Sequence, residues 1–308
     1  MPLADPAPAA PLHVPDSQYG ALVGALPQRL RDYAQLARFD RPIGWWLLFW
    51  PCAWGVLLAG GQAQWRLLGW LLLGAIAMRG AGCVYNDIVD AQLDRQVART
   101  AARPVASGRV SKRAAWVWLG LLCLIGLLVL WQLRPAAQLV ALGSLALVAA
   151  YPFMKRITGF PQGWLGLVFT WGVPTGWFAL RSDRLDVLAV LYAGAVCWCI
   201  GYDTIYALQD REDDAMVGIG SSALTLGQHV RTGVAGFYTA ALALWALAFW
   251  WLRPDWLALL ALAPAALHLA WQVLSLDTND SDNALARFRS NRTLGLLVAG
   301  ACWVVGNA

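Results

Sequence analysis

The sequence predicts an all-α, polytopic membrane protein with about nine transmembrane helices, and three observations point there. Of its 308 residues, 59% are hydrophobic and only 13% charged, against roughly 25% charged in soluble domains. Apolar runs recur along the chain, several of them near the roughly 20 helical residues that a bilayer crossing needs. Basic residues collect in alternate loops, as the positive-inside rule requires of a multi-spanning chain.

Taken in order, residues 1–27 are rich in Ala and Pro and lack the basic, apolar and small-residue regions of a signal peptide. They are expected to form a disordered arm ahead of a transmembrane domain at 28–308. Residues 30–40 alternate charged and apolar side chains, which predicts a short helix lying along the interface. Pro42 opens the first span, 43–60, because proline suits the first turn of a helix. The second span, 65–84, runs directly into an acidic stretch at 85–94. Pro104 and Gly108 in the basic loop 95–113 argue against a continuous helix there. Further spans are expected at 114–133, 135–151, 162–180 and 185–208, the last leading into a second acidic stretch at 203–214. The chain closes with spans at 233–252 and 256–276, a polar segment at 277–292, and a short apolar run at 293–305.

With nine crossings, 17 of the 23 basic residues fall on one side of the membrane. That side is read as cytoplasmic, which predicts a bacterial inner membrane protein whose site faces the cytoplasm. The six cysteines lack the paired spacing of a zinc or disulfide framework and are read as small buried apolar residues.

The acidic residues are not scattered. Of 18, only Glu212 is a glutamate, and eight lie in the two acidic stretches. Asn86, Asp90 and Asp94 are spaced i, i+4, i+8, so a helix stacks them on one face, with Asp87 about 100° round the axis. In the second stretch Asp210 and Asp214 are four apart, and Asp203 lies seven residues before Asp210. Both stretches fall on the basic side of the membrane. The alternative reading, solvated aspartates decorating helix ends, accounts poorly for two such clusters on one side.

Carboxylates gathered at the edge of a hydrocarbon slab are costly unless paired, which makes them functional candidates. Cations relieve their mutual repulsion. Only oxygen donors are at hand, which points to a hard ion, Mg²⁺, rather than zinc or copper. Mg²⁺ commonly completes its shell with phosphate oxygens, and basic loops flank these acids. The chemistry therefore suits a diphosphate carried on a lipid tail, such as a polyprenyl diphosphate.

At these residues the chain resembles the UbiA superfamily of intramembrane prenyltransferases. Asn86 through Asp94 match its NDxxDxxxD motif, and Asp210 to Asp214 match its DxxxD motif. RFDRPIGWWLLFWP at 38–51, MRGAGCVYND at 78–87, RTAARPVASG at 99–108, YPFMKR at 151–156 and GYDTIYALQDREDD at 201–214 bring the likeness closest to the branch acting on 4-hydroxybenzoate in ubiquinone biosynthesis. The resemblance covers about residues 30–295. It implies a helical bundle around a cavity open to lipid, and Mg²⁺-dependent transfer of a long polyprenyl group to the ring carbon ortho to the hydroxyl. It also implies that Asn86, Asp90, Asp94, Asp210 and Asp214 hold the metal and diphosphate, and that Lys155 of a YxxxK element beginning at Tyr151 contacts the diphosphate. Arg38, ahead of a turn at Arg41, Pro42 and Gly44, would hold the acceptor's carboxylate.

Asp203 is a candidate for taking the ring proton or ordering the metal site. Arg79, seven residues before Asn86 and on the same helix face, is a candidate phosphate contact. The expected partners are polyprenyl diphosphate, 4-hydroxybenzoate and the lipid bilayer, with no nucleic acid. Alternatives are the same transfer to a menaquinone-type naphthoate, homogentisate or haem, or a cation-coupled transporter. A transporter should line both halves of the membrane with polar groups, and the far side here offers only short loops.

Overall fold

The computed structural model describes residues 17–96, 100–211, 216 and 220–307, with the side chains of 155 and 156 outside it. Among the described residues the chain is helical throughout, without strands. In chain order the helices are α1 (Gly20–Gly24), α2 (Gln28–Leu36), α3 (Ile43–Leu58), α4 (Trp65–Val89), α5 (Ala91–Asp94), α6 (Lys112–Trp131), α7 (Pro135–Ile157) and α8 (Pro161–Phe169). They continue with α9 (Gly172–Phe178), α10 (Leu185–Tyr206), α11 (Ser222–Leu226), α12 (Val230–Leu252), α13 (Trp256–Leu260), α14 (Ala263–Leu274) and α15 (Ser281–Gly306).

Nine crossings are expected from the sequence, and length and apolar composition alone do not reach that count among the described helices. Six described helical segments are long and apolar enough to cross a membrane, and α3 is a shorter apolar helix. The expected span 162–180 is broken into α8 and α9. At the break Thr170 donates to the carbonyl of Gly166 at 2.7 Å, and Thr175 donates to that of Trp171 at 3.0 Å. Irregular backbone at membrane depth is tolerated where protein groups satisfy it and where it borders a cavity. Phe169, Trp171 and Gly172 do border one. The last run belongs to a 26-residue helix that begins well before it, at Ser281.

Much of the expected disordered arm, 1–16, lies outside the described residues. In its described remainder the backbone N–H groups of Gln18 and Tyr19 donate to the carbonyl of Asp40 at 3.0 and 2.9 Å, and α1 follows, with only Val23 buried. Four cysteines are buried as expected, whereas Cys197 is half-buried and Cys123 exposed.

With no water to drive apolar helices together inside a bilayer, close packing and internal hydrogen bonds hold them. Glycines supply the close approach. A Cβ at Gly176 would lie 2.2 Å from the Cys52 carbonyl oxygen, and one at Gly55 2.2 Å from that of Val173, so α3 and α9 meet backbone to backbone. The Trp54 ring on α3 lies tilted 4.8 Å from that of Trp198 on α10 and edge-on 5.3 Å from that of Trp245 on α12.

A buried polar chain ties the remaining helices together. Asn291 Oδ1 on α15 accepts from Trp198 Nε1 at 2.8 Å and from Gln272 Nε2 at 3.3 Å, and Gln272 Oε1 accepts from the Tyr238 hydroxyl at 2.9 Å. Asn291 and Gln272 are fully buried. Replacing Asn291 by Ala orphans the Trp198 donor and half of the Gln272 amide. It should lower stability by about 2–3 kcal/mol, read as an earlier thermal unfolding of the protein in detergent.

Candidate active site

Helices α3, α4, α6, α7, α8 and α10 enclose a cavity of about 780 Å³. Along α4 its wall runs from Leu71 to Asp87, about 24 Å of helix. Carboxylates, arginines and Asn86 cluster where α4 and α10 end, and leucines, glycines and alanines line the rest. The cavity is therefore shaped for a long molecule with a strongly polar head and an apolar tail.

The helical face predicted from spacing survives a break. α4 ends at Val89 and Asp90 caps it, yet Asp90 N–H still donates to the Asn86 carbonyl at 2.8 Å and Asp94 N–H to that of Asp90 at 2.9 Å. Asn86 and Asp94 border the cavity, but Asp90, though only 1% exposed, does not. On the other wall Asp203 lies in the last turn of α10, and Asp210 closes a short 3₁₀ turn, Ala207–Asp210. Both border the same cavity, so the two acidic stretches share one site. Asp214, and the side chain of Lys155, lie outside the described residues.

Asp87, left off the predicted face, is a centre of the arrangement. Its carboxylate is 1% exposed and accepts from Arg38 Nη2 at 3.0 and 3.2 Å, one bond to each oxygen. Arg103 Nη1 reaches Asp87 Oδ1 at 3.5 Å and both oxygens of Asp94 at 3.0 and 2.9 Å. Burial pushes the Asp94 carboxyl above the ordinary carboxylate range, the Arg103 guanidinium pulls it back, and the neighbouring Asp87 and Asp90 add to the rise. The loop bearing Arg103 is fastened at both ends. Arg109 donates to Asp32 on α2 at 2.7 Å, and Thr100 Oγ1 donates to the Asp94 carbonyl at 2.9 Å.

Arg38 occupies a costly position. It follows α2 with φ +56°, its N–H donating to the Gln35 carbonyl at 3.0 Å while Phe39 N–H donates to that of Ala34 at 2.9 Å. This is the paired hydrogen-bond pattern of a helix terminus at which glycine is the usual residue. An L-residue there costs about 1 kcal/mol.

Arg79 lies in the cavity wall with its guanidinium 5.4 Å from the centre of the Phe169 ring. Its Nε is buried without a hydrogen-bond partner among the described residues. Gly44 makes room for it: a Cβ there would stand 2.5 Å from that Nε. Tyr151 and Gln162 also border the cavity, and Gln162 hydrogen-bonds both Asp203 and the Ser222 N–H, the latter at 2.9 Å. Sequence reasoning singled out Arg38, Arg79, Tyr151 and Asp203. It missed Asp87, Arg103 and Gln162, although Arg103 lies in the basic loop and within the RTAARPVASG stretch at 99–108.

Among the described residues no three carboxylate, histidine or cysteine side chains converge tightly enough to hold a metal by themselves. Divalent ions of the magnesium kind commonly need one or two carboxylates and take phosphate oxygens for the rest. Separate carboxylates on two walls, with Arg79 beside them, whose buried Nε lacks a partner among the described residues, fit that chemistry.

Residues 48–292 match the model of the UbiA prenyltransferase family. The chain belongs to that family. Among similar relatives, a 4-hydroxybenzoate polyprenyltransferase, mitochondrial, of Arabidopsis thaliana is 40% identical over 89% of this chain and 68% of its own. The human protein of the same name is 41% identical over 90% of this chain and 76% of its own. Among solved structures, the apo structure of a UbiA homolog from Aeropyrum pernix K1 superposes with a TM-score of 0.68 at 27% identity, covering 84% of this chain and 97% of that one. A UbiA homolog from Archaeoglobus fulgidus bound to GPP and Mg²⁺ shares the fold at a TM-score of 0.64 and 17% identity, over 90% of this chain and 100% of that one. The Arabidopsis thaliana and human relatives are named as mitochondrial enzymes, which overturns the expectation of a bacterial inner membrane. The multi-pass membrane character stands.

Proposed function

We infer that the protein transfers a polyprenyl group from its diphosphate to 4-hydroxybenzoate, at the ring carbon ortho to the hydroxyl, in ubiquinone biosynthesis. The observation that carries this is one cavity joining Asp94, Asp203 and Asp210 to Arg38 and Arg79 at the head of a long apolar wall. The names of the similar relatives support the acceptor. Among the described residues the far side of the bundle offers a transporter no counterpart: its acids are engaged by near neighbours, in the pairs Arg181–Asp183, Arg184–Asp186 and Arg253–Asp255.

Asn86, Asp94 and Asp210, with Asp90 and Asp214, would hold Mg²⁺, which supplies positive charge against the diphosphate oxygens. Arg79 and Lys155 contact the diphosphate and stabilise charge developing as the allylic C–O bond breaks. The tail lies along Leu71 of α4 and Leu119 and Leu130 of α6, which line the cavity. The apolar wall excludes water that would quench the allylic cation to an alcohol. Arg38 holds the acceptor carboxylate, which sets the phenol ring with its ortho carbon toward the cation. Asp203 takes the ring proton that is lost as aromaticity returns.

Purified protein in lipid nanodiscs, given Mg²⁺, a labelled prenyl diphosphate and 4-hydroxybenzoate, should yield a prenylated benzoate identified by mass spectrometry. Absence of that product alongside turnover of another aromatic acceptor would overturn the assignment. Chelation with EDTA should abolish product formation, and excess Mg²⁺ should restore it. Full activity after exhaustive chelation removes the metal from the reading.

A further inference from the structure

We infer that Gly44 and Phe169 are positioning residues for Arg79: the glycine leaves the space that the guanidinium crosses, and the ring seats it for contact with the prenyl diphosphate. This rests on the function proposed above.

Neutral groups hold Arg79 in place. On α4 its Nη1 donates to the sulfur of Cys83, one turn on. From α8 the centre of the Phe169 ring stands 5.4 Å from its Cζ, within the roughly 6 Å over which a ring face attracts a cation. From α3 comes Gly44, across which the side chain runs: a Cβ there would lie 2.5 Å from Nε and 3.3 Å from both Cδ and Cζ. A carboxylate clamp would cancel the charge that it aims. A thiol is only a weak acceptor and a ring carries no net charge, so together they fix the guanidinium and leave its charge in force. Asp203, on the other wall of the same cavity, is an acid that feels this charge. The ion pairs of Asp87 and Asp94 run instead through Arg38 and Arg103.

The place of each residue in its helix serves this arrangement. Arg79 stands about two turns before Asn86 on the same face of α4, which puts it beside the proposed metal end. Phe169 is the last residue of α8, and the irregular turn at Thr170 begins directly after it. The interrupted crossing thus presents that ring at the cavity wall. Gly44 lies in the first turn of α3. The atoms nearest a Cβ at Gly44 all belong to the far end of one flexible side chain, whereas at Gly55 and Gly176 they are backbone. An alanine at position 44 therefore moves the guanidinium and not the helix.

The test uses the full chain in nanodiscs with Mg²⁺ and tritiated geranyl diphosphate as the probe. Gly44→Ala, Phe169→Leu and Phe169→Tyr are compared with wild type, and the first two also in an Arg79→Ala background. Three quantities are read: the Kd for geranyl diphosphate, KM for 4-hydroxybenzoate, and the unfolding temperature. Gly44→Ala should weaken geranyl diphosphate binding by about tenfold or more, as expected for a misplaced charge-assisted contact. Its unfolding temperature should not fall, because alanine is the better helix former. Phe169→Leu should weaken binding by about threefold to tenfold, and Phe169→Tyr, which keeps the ring, should stay within about twofold of wild type. KM for 4-hydroxybenzoate should stay within about threefold throughout, since separate contacts act independently. In the Arg79→Ala background each substitution should add less than about twofold, because residues acting through one another are not additive.

Unchanged binding in Gly44→Ala, or a loss that persists in the Arg79→Ala background, overturns the inference. So does a shift in KM for 4-hydroxybenzoate at unchanged geranyl diphosphate binding, which would move Arg79 to the acceptor. Should Gly44→Ala fail to fold, the decision passes to Phe169. Binding lost in Phe169→Leu and recovered in Phe169→Tyr, at equal unfolding temperatures, supports the seat, and equal binding in both overturns it. A wild type that binds geranyl diphosphate yet prenylates a different acceptor overturns the acceptor proposed above and leaves the seat supported by the binding losses, which need no acceptor.

Discussion

Asp210→Ala should lower kcat for prenyl transfer by about 10² or more while leaving the fold intact. Asp210 sits at the end of a 3₁₀ turn beyond α10, half-buried against the cavity, and its charge is felt by Asp203. A half-buried side chain at a helix end can be truncated with little loss of packing, so stability should change by about 0.5 kcal/mol or less. Its proposed contribution is a hard oxygen donor that helps gather charge against the leaving diphosphate. Removing one element of such preorganised stabilisation typically costs about 10²- to 10³-fold. Single-turnover prenylation, run beside a thermal unfolding curve in detergent, separates the two effects. A variant that keeps more than about a tenth of the wild-type rate would take Asp210 out of the machinery, because a lost charge-stabilising group costs more than that.

The second large effect is structural. Gly176→Ala places a methyl group 2.2 Å from the carbonyl oxygen of Cys52 and 3.0 Å from the backbone nitrogen of Val56. Both obstacles are backbone, so no side chain can rotate away, and α9 must separate from α3. Overpacking of this kind costs about 3 kcal/mol, and the contacts that replace water as the driving force between membrane helices are lost with it. The damage reaches the site, since Gly172 and Thr175 of α9 and Leu47 and Leu48 of α3 border the cavity. Gly120→Ala is the control. Nothing lies within 4 Å of a Cβ at that exposed position on α6, and alanine there should stabilise the helix by up to about 1 kcal/mol. Equal unfolding temperatures for the two variants would show that the α3–α9 approach is not tight.

Properties that belong to a short stretch of chain were readable from the residues alone. Hydrophobic runs placed the helices because each apolar run must be buried whatever it meets. The four-residue spacing of Asn86, Asp90 and Asp94 predicted an i→i−4 ladder that holds even across the break at Asp90. The family motifs located both walls of the site for the same reason: they are contiguous. Charge alternation was local too, but it reported sidedness rather than the identity of the membrane, and the assignment to a bacterial inner membrane fell with the comparisons.

What escaped the sequence depends on partners far away in the chain. Asp87 looked misplaced on a helical wheel because its partners are 49 residues before it and 16 after it. Gly44 is small because Arg79 lies across it, a relation that no periodicity encodes. The division of one expected crossing into α8 and α9 needed Thr170 and Thr175 to turn their hydroxyls onto nearby carbonyls, and a cavity to receive the irregular backbone. Hydrophobicity and helical period act through neighbours a turn apart. Ion pairing, close approach and the choice of which acid faces the cavity act across the bundle, where only the packed helices bring the groups within reach.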